Sequence, residues 1–148
     1  MLFLVALTAA ALAGLGQAWS TAAQREKERE LEFRGRAIAA AIASYQRAGR
    51  SGPGELPRSL DDLLEDRRDV IVRHHLRKRY VDPFTGEADW ELIPAPGDAS
   101  RFYGVRSRST SLLLRQAQPG VSPVQKACDR KFLAPMFGMP LADISPHT

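Results

Sequence analysis

"STAAQREKERELEFRGRAIAAAIASYQRAG", residues Ser20 to Gly49, decides the fold, because every other part can be arranged around it. It holds no proline, and no glycine before Gly35. Ala, Glu, Arg and Leu dominate it, and all four are good helix formers. Glu30 stands four residues before Arg34, and Glu32 four before Arg36, the favourable orientation for ion pairs on a helix. Leu31, Ile38, Ile42 and Tyr45 recur at spacings of seven, four and three, which sets them on one apolar stripe. Gly49 is the stop signal. A helix of this kind needs a partner layer to cover its stripe.

Upstream lies "MLFLVALTAAALAGLGQAW", Met1 to Trp19, with Thr8 and Gln17 as its only polar side chains. A bilayer core requires roughly 20 apolar residues in a helix, so the length suffices. Three readings compete. A secretory signal peptide carries a basic first segment, which this run lacks. A buried core helix this apolar needs a larger domain around it. A membrane anchor that continues unbroken into water fits best, since a signal peptide has no reason to run into an amphipathic helix. The expectation is one helix of about 45 residues, near 70 Å at about 1.5 Å per residue. Lipid would meet Leu2, Phe3, Leu4, Val5, Leu7, Leu12, Leu15 and Trp19.

The formal charge is +4, unevenly placed. Met1 to Gln24 carries none, whereas Arg67 to Arg79 sets six basic residues against Asp69, a net +5. Arg25, Lys27 and Arg29 follow the apolar run, so the positive-inside rule taken alone points the carboxyl side to the cytoplasm. A basic leader encoded upstream of Met1 would reverse that, and such a leader is the expectation. The basic run has little aromatic interleaving and no nucleic-acid module around it, so nucleic acid is not an expected partner. Cys128 stands alone, which rules out a disulfide within this sequence and a cysteine-based zinc site.

Beyond Gly49, "SGPGELPRS" is a loop by its Gly and Pro content. Ser59, three before Asp62, opens a short capped helix burying Leu60, Leu63 and Leu64. "VIVRHHLRKRY", Val70 to Tyr80, reads as a basic helical run; adjacent His74 and His75 would point about 100° apart and could not share a metal. "DPFTG" is a turn with Pro83 at its second position and Gly86 at its end. "DWELI" and "RFYGVRSRS" are strands separated by "PAPGDAS", and "SLLLRQ" is a candidate third strand. The sheet containing Trp90, Leu92, Tyr103 and Val105 is expected to cover the helical stripe. After Pro119 no regular structure is expected. There is no Ser-His-Asp order, phosphate loop or metal-ligand cluster, so no enzyme is expected and no catalytic, cofactor or metal residue is singled out.

This order of parts resembles a type IV pilin-like protein, and in particular a pseudopilin of the type II secretion system. The resemblance spans Met1 to Ser109, and its specific part is "LPRSLDDLLEDRR" followed by "HLRKRYVDPFTGEADWELI". It implies an α+β fold: a long N-terminal helix, its first half in the membrane, packed on a small antiparallel sheet. Residues 1–22 would be the membrane or fibre-core half of the helix, 23–116 a periplasmic pilin-like domain, and 117–148 a tail of uncertain structure. The implied place is the inner membrane, single-pass, with the carboxyl-terminal domain in the periplasm. The implied function is that of a fibre subunit in protein secretion, which leaves the lipid to pack against its neighbours' helices. Its partners would be other pseudopilins, itself and the inner-membrane assembly platform. The resemblance makes Pro83 and Gly86 structural, with Asp82 capping the turn. Some major pseudopilins hold calcium, which would suggest Asp82 and Asp89, but nothing in their spacing demands an ion. Two departures stand out: the precursor cleavage site is missing, and the first acidic residue is Glu26. The alternative from another class is a membrane-anchored periplasmic binding module that does not polymerise and uses the basic face Arg73 to Arg79.

Overall fold

The computed structural model describes residues 2–49, 54–114 and 126–135, with the side chains of residues 1–18 outside the description. Helix α1 runs from Leu2 to Ala48, 47 residues without a break. Helix α2, Leu60–Leu64, is one short turn. Strands β1 (Glu91–Ala95), β2 (Asp98–Arg106) and β3 (Lys131–Leu133) form an antiparallel sheet in that order. The fold is α+β: a long N-terminal helix packed on a small three-stranded antiparallel sheet.

The stripe on α1 explains the packing. Leu31, Ile38, Ile42 and Tyr45 are each at most 5% exposed and join Trp90, Phe102, Val105 and Phe132 in one core. The seven-residue gap in the stripe is filled by Gly35. A Cβ on Gly35 would stand 2.3 Å from the Phe132 ring, so the missing side chain is what lets the sheet approach the helix. Burial of this stripe, more than helix propensity, holds α1 in place, as is usual for amphipathic helices. Trp90 sits one residue before β1 rather than on a strand; its indole Nε1 donates to the Tyr80 carbonyl at 3.0 Å.

Local chemistry sets the ends of the other elements. Ser59 caps α2 by accepting from the Asp62 N–H at 3.3 Å, and the Asp62 carboxylate accepts the Ser59 N–H in return. Only Pro96 and Gly97 separate β1 from β2, and Gly97 has φ +87, the left-handed value that a type II turn needs there. The strands therefore reach further than "PAPGDAS" suggested, at the cost of register shifts at Ile93/Pro94 and Pro94/Ala95.

Two expectations are corrected. The third strand is not "SLLLRQ". It is Lys131–Leu133, from the stretch given no regular structure, while Leu112 forms only an isolated bridge with Lys126. Phe132 completes the helix-facing row with Leu92 and Val105, so burial decided the choice. Nor is Val70–Tyr80 a helix. The His75 and Leu76 N–H groups both donate to the Leu63 carbonyl, at 2.9 and 2.8 Å, and cannot enter an α-helical ladder.

Leu2, Phe3, Leu4, Val5, Leu7, Leu12 and Leu15, the side chains expected to meet lipid, lie outside the described residues. Trp19 is described and is 77% exposed. Among the described residues no helix is long and apolar enough to cross a membrane.

Candidate functional site

Three places on the domain carry polar or exposed apolar groups that the core does not explain. The first is the turn after Tyr80. Asp82 is fully buried. Its backbone N–H donates to the Glu87 carbonyl at 2.7 Å, and its own carbonyl accepts the Gly86 N–H at 2.8 Å. One carboxylate oxygen accepts the Phe84 N–H at 2.8 Å and the other the Ser107 hydroxyl. Gly86 takes φ +77, which closes the turn. Asp89 instead accepts from the Thr85 hydroxyl at 2.8 Å. Both Asp82 oxygens thus face hydrogen-bond donors, the wrong surroundings for a cation. Among the described residues no group of three His, Cys, Asp or Glu could hold a metal.

The second is a polar network where α1 ends. The Arg68 guanidinium lies 3.4 Å from the Tyr45 ring centroid. It donates to Asp66 at 2.7 Å, to Glu55 at 3.2 Å and to the Tyr45 carbonyl at 2.8 Å. The bond from Arg68 holds the Asp66 carboxyl far below its usual range, against the opposing effect of burial, with His75 adding to the lowering. At Glu55 burial raises the pKa, but the bonds from Arg68 and Arg101 outweigh it and leave the carboxyl lowered. Burial raises the Tyr45 hydroxyl, partly countered by Arg68. These groups line an open depression of about 370 Å³, in which Arg68 and Arg101 are already committed to carboxylates.

Within this network the fold brings together three residues that the sequence reading did not connect. Ser44 Oγ is 2.9 Å from His75 Nδ1, and His75 Nε2 is 3.1 Å from Asp66. The chain has the order of a nucleophile, a base and an orienting acid. The parts around it differ from such a site. Ser44 lies within α1, where the neighbouring N–H groups belong to the helix ladder, and the His75 and Leu76 N–H groups are taken by Leu63. The arrangement ties α1 to the loop carrying Asp66 and His75.

The third place is exposed. Asp66 and Arg73 exchange two backbone hydrogen bonds, at 2.8 and 3.1 Å, and close a loop whose tip is Val70, Ile71 and Val72. These are 94, 72 and 46% exposed. Phe33 on α1 is 63% exposed and stacks edge-on against Tyr80, beside Val81 at 42%. Exposure of single apolar side chains at a surface is ordinary, but a loop held at its base with three apolar residues outward is a candidate contact surface. Of the basic face Arg73 to Arg79, Arg73 pairs with Asp69 and Arg79 with Asp61.

The α1 positions near the apolar run are also tied down. Gln24 donates to the Leu112 carbonyl at 2.7 Å, and buried Glu28 accepts from the Leu114 N–H. Glu30 and Glu32 pair with Arg34 and Arg36, as their spacing predicts, and Glu32 also reaches Arg130 at 3.2 Å. No protein-family model, curated protein or solved structure matches this chain.

Proposed function

We propose that this protein is a pseudopilin-like structural subunit of a type II secretion fibre, a protein that moves no bonds and works by assembly. One observation carries the reading: a single 47-residue helix whose later half is seated on a three-stranded sheet, while its first half is almost wholly apolar in sequence. Such a helix can hold its apolar half in lipid or among the same halves of neighbouring copies. Both surroundings are apolar, so exchange between them costs little hydrophobic free energy. The sheet and turn then keep the domain rigid through the exchange. In this reading the protein stands in the inner membrane with its domain in the periplasm, and its partners are further copies, other subunits of the fibre and the assembly platform.

The test is carbonate washing of membranes that carry the full chain, followed by oxidative cross-linking of a Leu12→Cys variant in the presence of the secretion machinery. Retention in the membrane and a ladder of cross-linked copies are expected. Release by carbonate would exclude the anchor and with it the fibre reading. Retention without any cross-linked copies would favour the second reading, an anchored binding module. The exposed Val70–Ile71–Val72 tip is the observation that supports that alternative.

A further inference from the structure

Contacts to α1 place each part of the domain at a level along the helix axis. Gln24 donates to the Leu112 carbonyl at 2.7 Å, and Glu28 accepts from the Leu114 N–H. Further along, Arg130 pairs with Glu32, Phe132 covers Gly35, and Arg68 meets Tyr45 at the far end. Leu112 to Leu114 therefore form the end of the domain nearest the apolar run Met1–Trp19. Leu113 joins the core at 7% exposed, whereas Leu112 and Leu114 turn outward at 52 and 45%. Lys126, bridged to Leu112, lies at the same level.

Distance selects what meets these two leucines. Gln24 stands five positions after Trp19 on one unbroken helix, about 7.5 Å along its axis. Long side chains lean toward a helix N-terminus, which brings Leu112 nearer still to the apolar run. The headgroup layer of a bilayer is about 5–7 Å thick on each side of its hydrocarbon. With Met1–Trp19 in lipid and Trp19 at the interface, α1 holds Leu112 at headgroup depth.

Charge at this level nearly cancels. Arg25, Lys27 and Lys126 are exposed. Glu26 pairs with Arg29 at 3.4 Å, buried Glu28 is occupied by the Leu114 N–H, and Asp129 accepts the Lys126 N–H at 3.0 Å. No excess of acid holds this end away from a lipid surface, and no large excess of base makes anionic lipid necessary.

We propose that the chain rests this end of its domain on the bilayer, with Leu112 and Leu114 entering the headgroup region. The contact rests on the membrane anchor proposed above and adds a second point of attachment to it. It fixes which side of the domain meets lipid, where a lone helix leaves the domain free to tilt. The Val70–Ile71–Val72 tip, at the level of Tyr45, then stands 21 positions further from the bilayer, about 31 Å. In the fibre reading, withdrawal of α1 from lipid also releases these leucines.

The experiment reconstitutes the full chain in phosphatidylcholine vesicles, with Cys128→Ser and a fluorophore on either Thr110→Cys or Val70→Cys. Thr110 is exposed at the leucine end and leaves both leucines in place. Lipids with a nitroxide in the headgroup should quench the Thr110 label about threefold more than the Val70 label. Leu112→Asp with Leu114→Asp should remove that difference and leave the circular dichroism unchanged, since both positions are exposed. Equal quenching of the two labels in the parent, a difference indifferent to the Asp pair, or quenching that requires anionic lipid would overturn the contact. Each of these outcomes, in protein that resists carbonate, leaves the anchor standing. Release of the parent by carbonate would remove the anchor itself and the fibre reading with it.

Discussion

The two ends of the later half of α1 are built on opposite principles. From Leu31 to Ile42 the helix meets the sheet through an apolar seam, closed by Gly35 against Phe132. At Tyr45 the contact turns polar: one guanidinium, Arg68, holds an aromatic face, two carboxylates and a backbone carbonyl. The seam draws its stability from area and fit, which many side chains share. The polar end draws it from one residue whose partners are buried with it. The seam should therefore respond to charge and to volume, and the polar end to the loss of one group and to acid.

The largest effect is expected in the seam. Ile38→Asp puts an unpaired carboxylate at a position only 1% exposed, and burial of such a group costs about 5 kcal/mol or more. The variant should show no cooperative melt by circular dichroism, while Ala40→Asp, exposed on the same helix, should lower stability by only about 1 kcal/mol, mostly through helix propensity. An Ile38→Asp protein that melts like the parent would mean that the seam does not bear on the fold.

At the polar end, Arg68→Ala leaves Asp66 buried without its main partner, a loss of about 3–5 kcal/mol. It should also change the response to pH. The folded carboxyls of Asp66 and Glu55 lie below their ordinary values, so below about pH 4 the unfolded chain binds more protons and stability falls with acidification. Stabilisation from these two groups is complete above that range. Urea midpoints taken from pH 7 down to pH 3 should fall steeply in the parent and more gently in Arg68→Ala. Parallel curves would show that the network does not carry the acid response.

The smallest effect sharpens the seam. Gly35→Ala gains about 1 kcal/mol of helix propensity but drives a methyl into the Phe132 ring, for a net loss of about 1–2 kcal/mol. Phe132→Leu makes room and should recover part of it, so the double-mutant cycle should show coupling of about 1 kcal/mol. Additive losses would place the close approach elsewhere.

Much of this architecture could be read from local pattern alone. The helix over Ser20–Gly49, its stripe, the Ser59–Asp62 cap, the turn at Pro83–Gly86 and the β1–β2 pair all depend on residues a few positions apart. Periodicity and turn chemistry report on such contacts directly. Gly35 could have been suspected from the gap in the stripe, since only a residue without a side chain leaves a face empty there.

The remainder was decided by contacts between distant parts of the chain. Lys131–Leu133 became a strand because an open sheet edge and an uncovered part of the stripe were waiting for Phe132, facts invisible within three residues. Val70–Tyr80 lost its helix because the Leu63 carbonyl took two of its N–H groups. Arg68 with Glu55 and Tyr45, Ser44 with His75, and Asp82 with Ser107 are partners 13 to 31 positions apart. Nothing in a residue's near neighbours records which distant group will share its burial; only the folded backbone sets that, because desolvation makes each buried polar group take whichever partner the packing brings within reach.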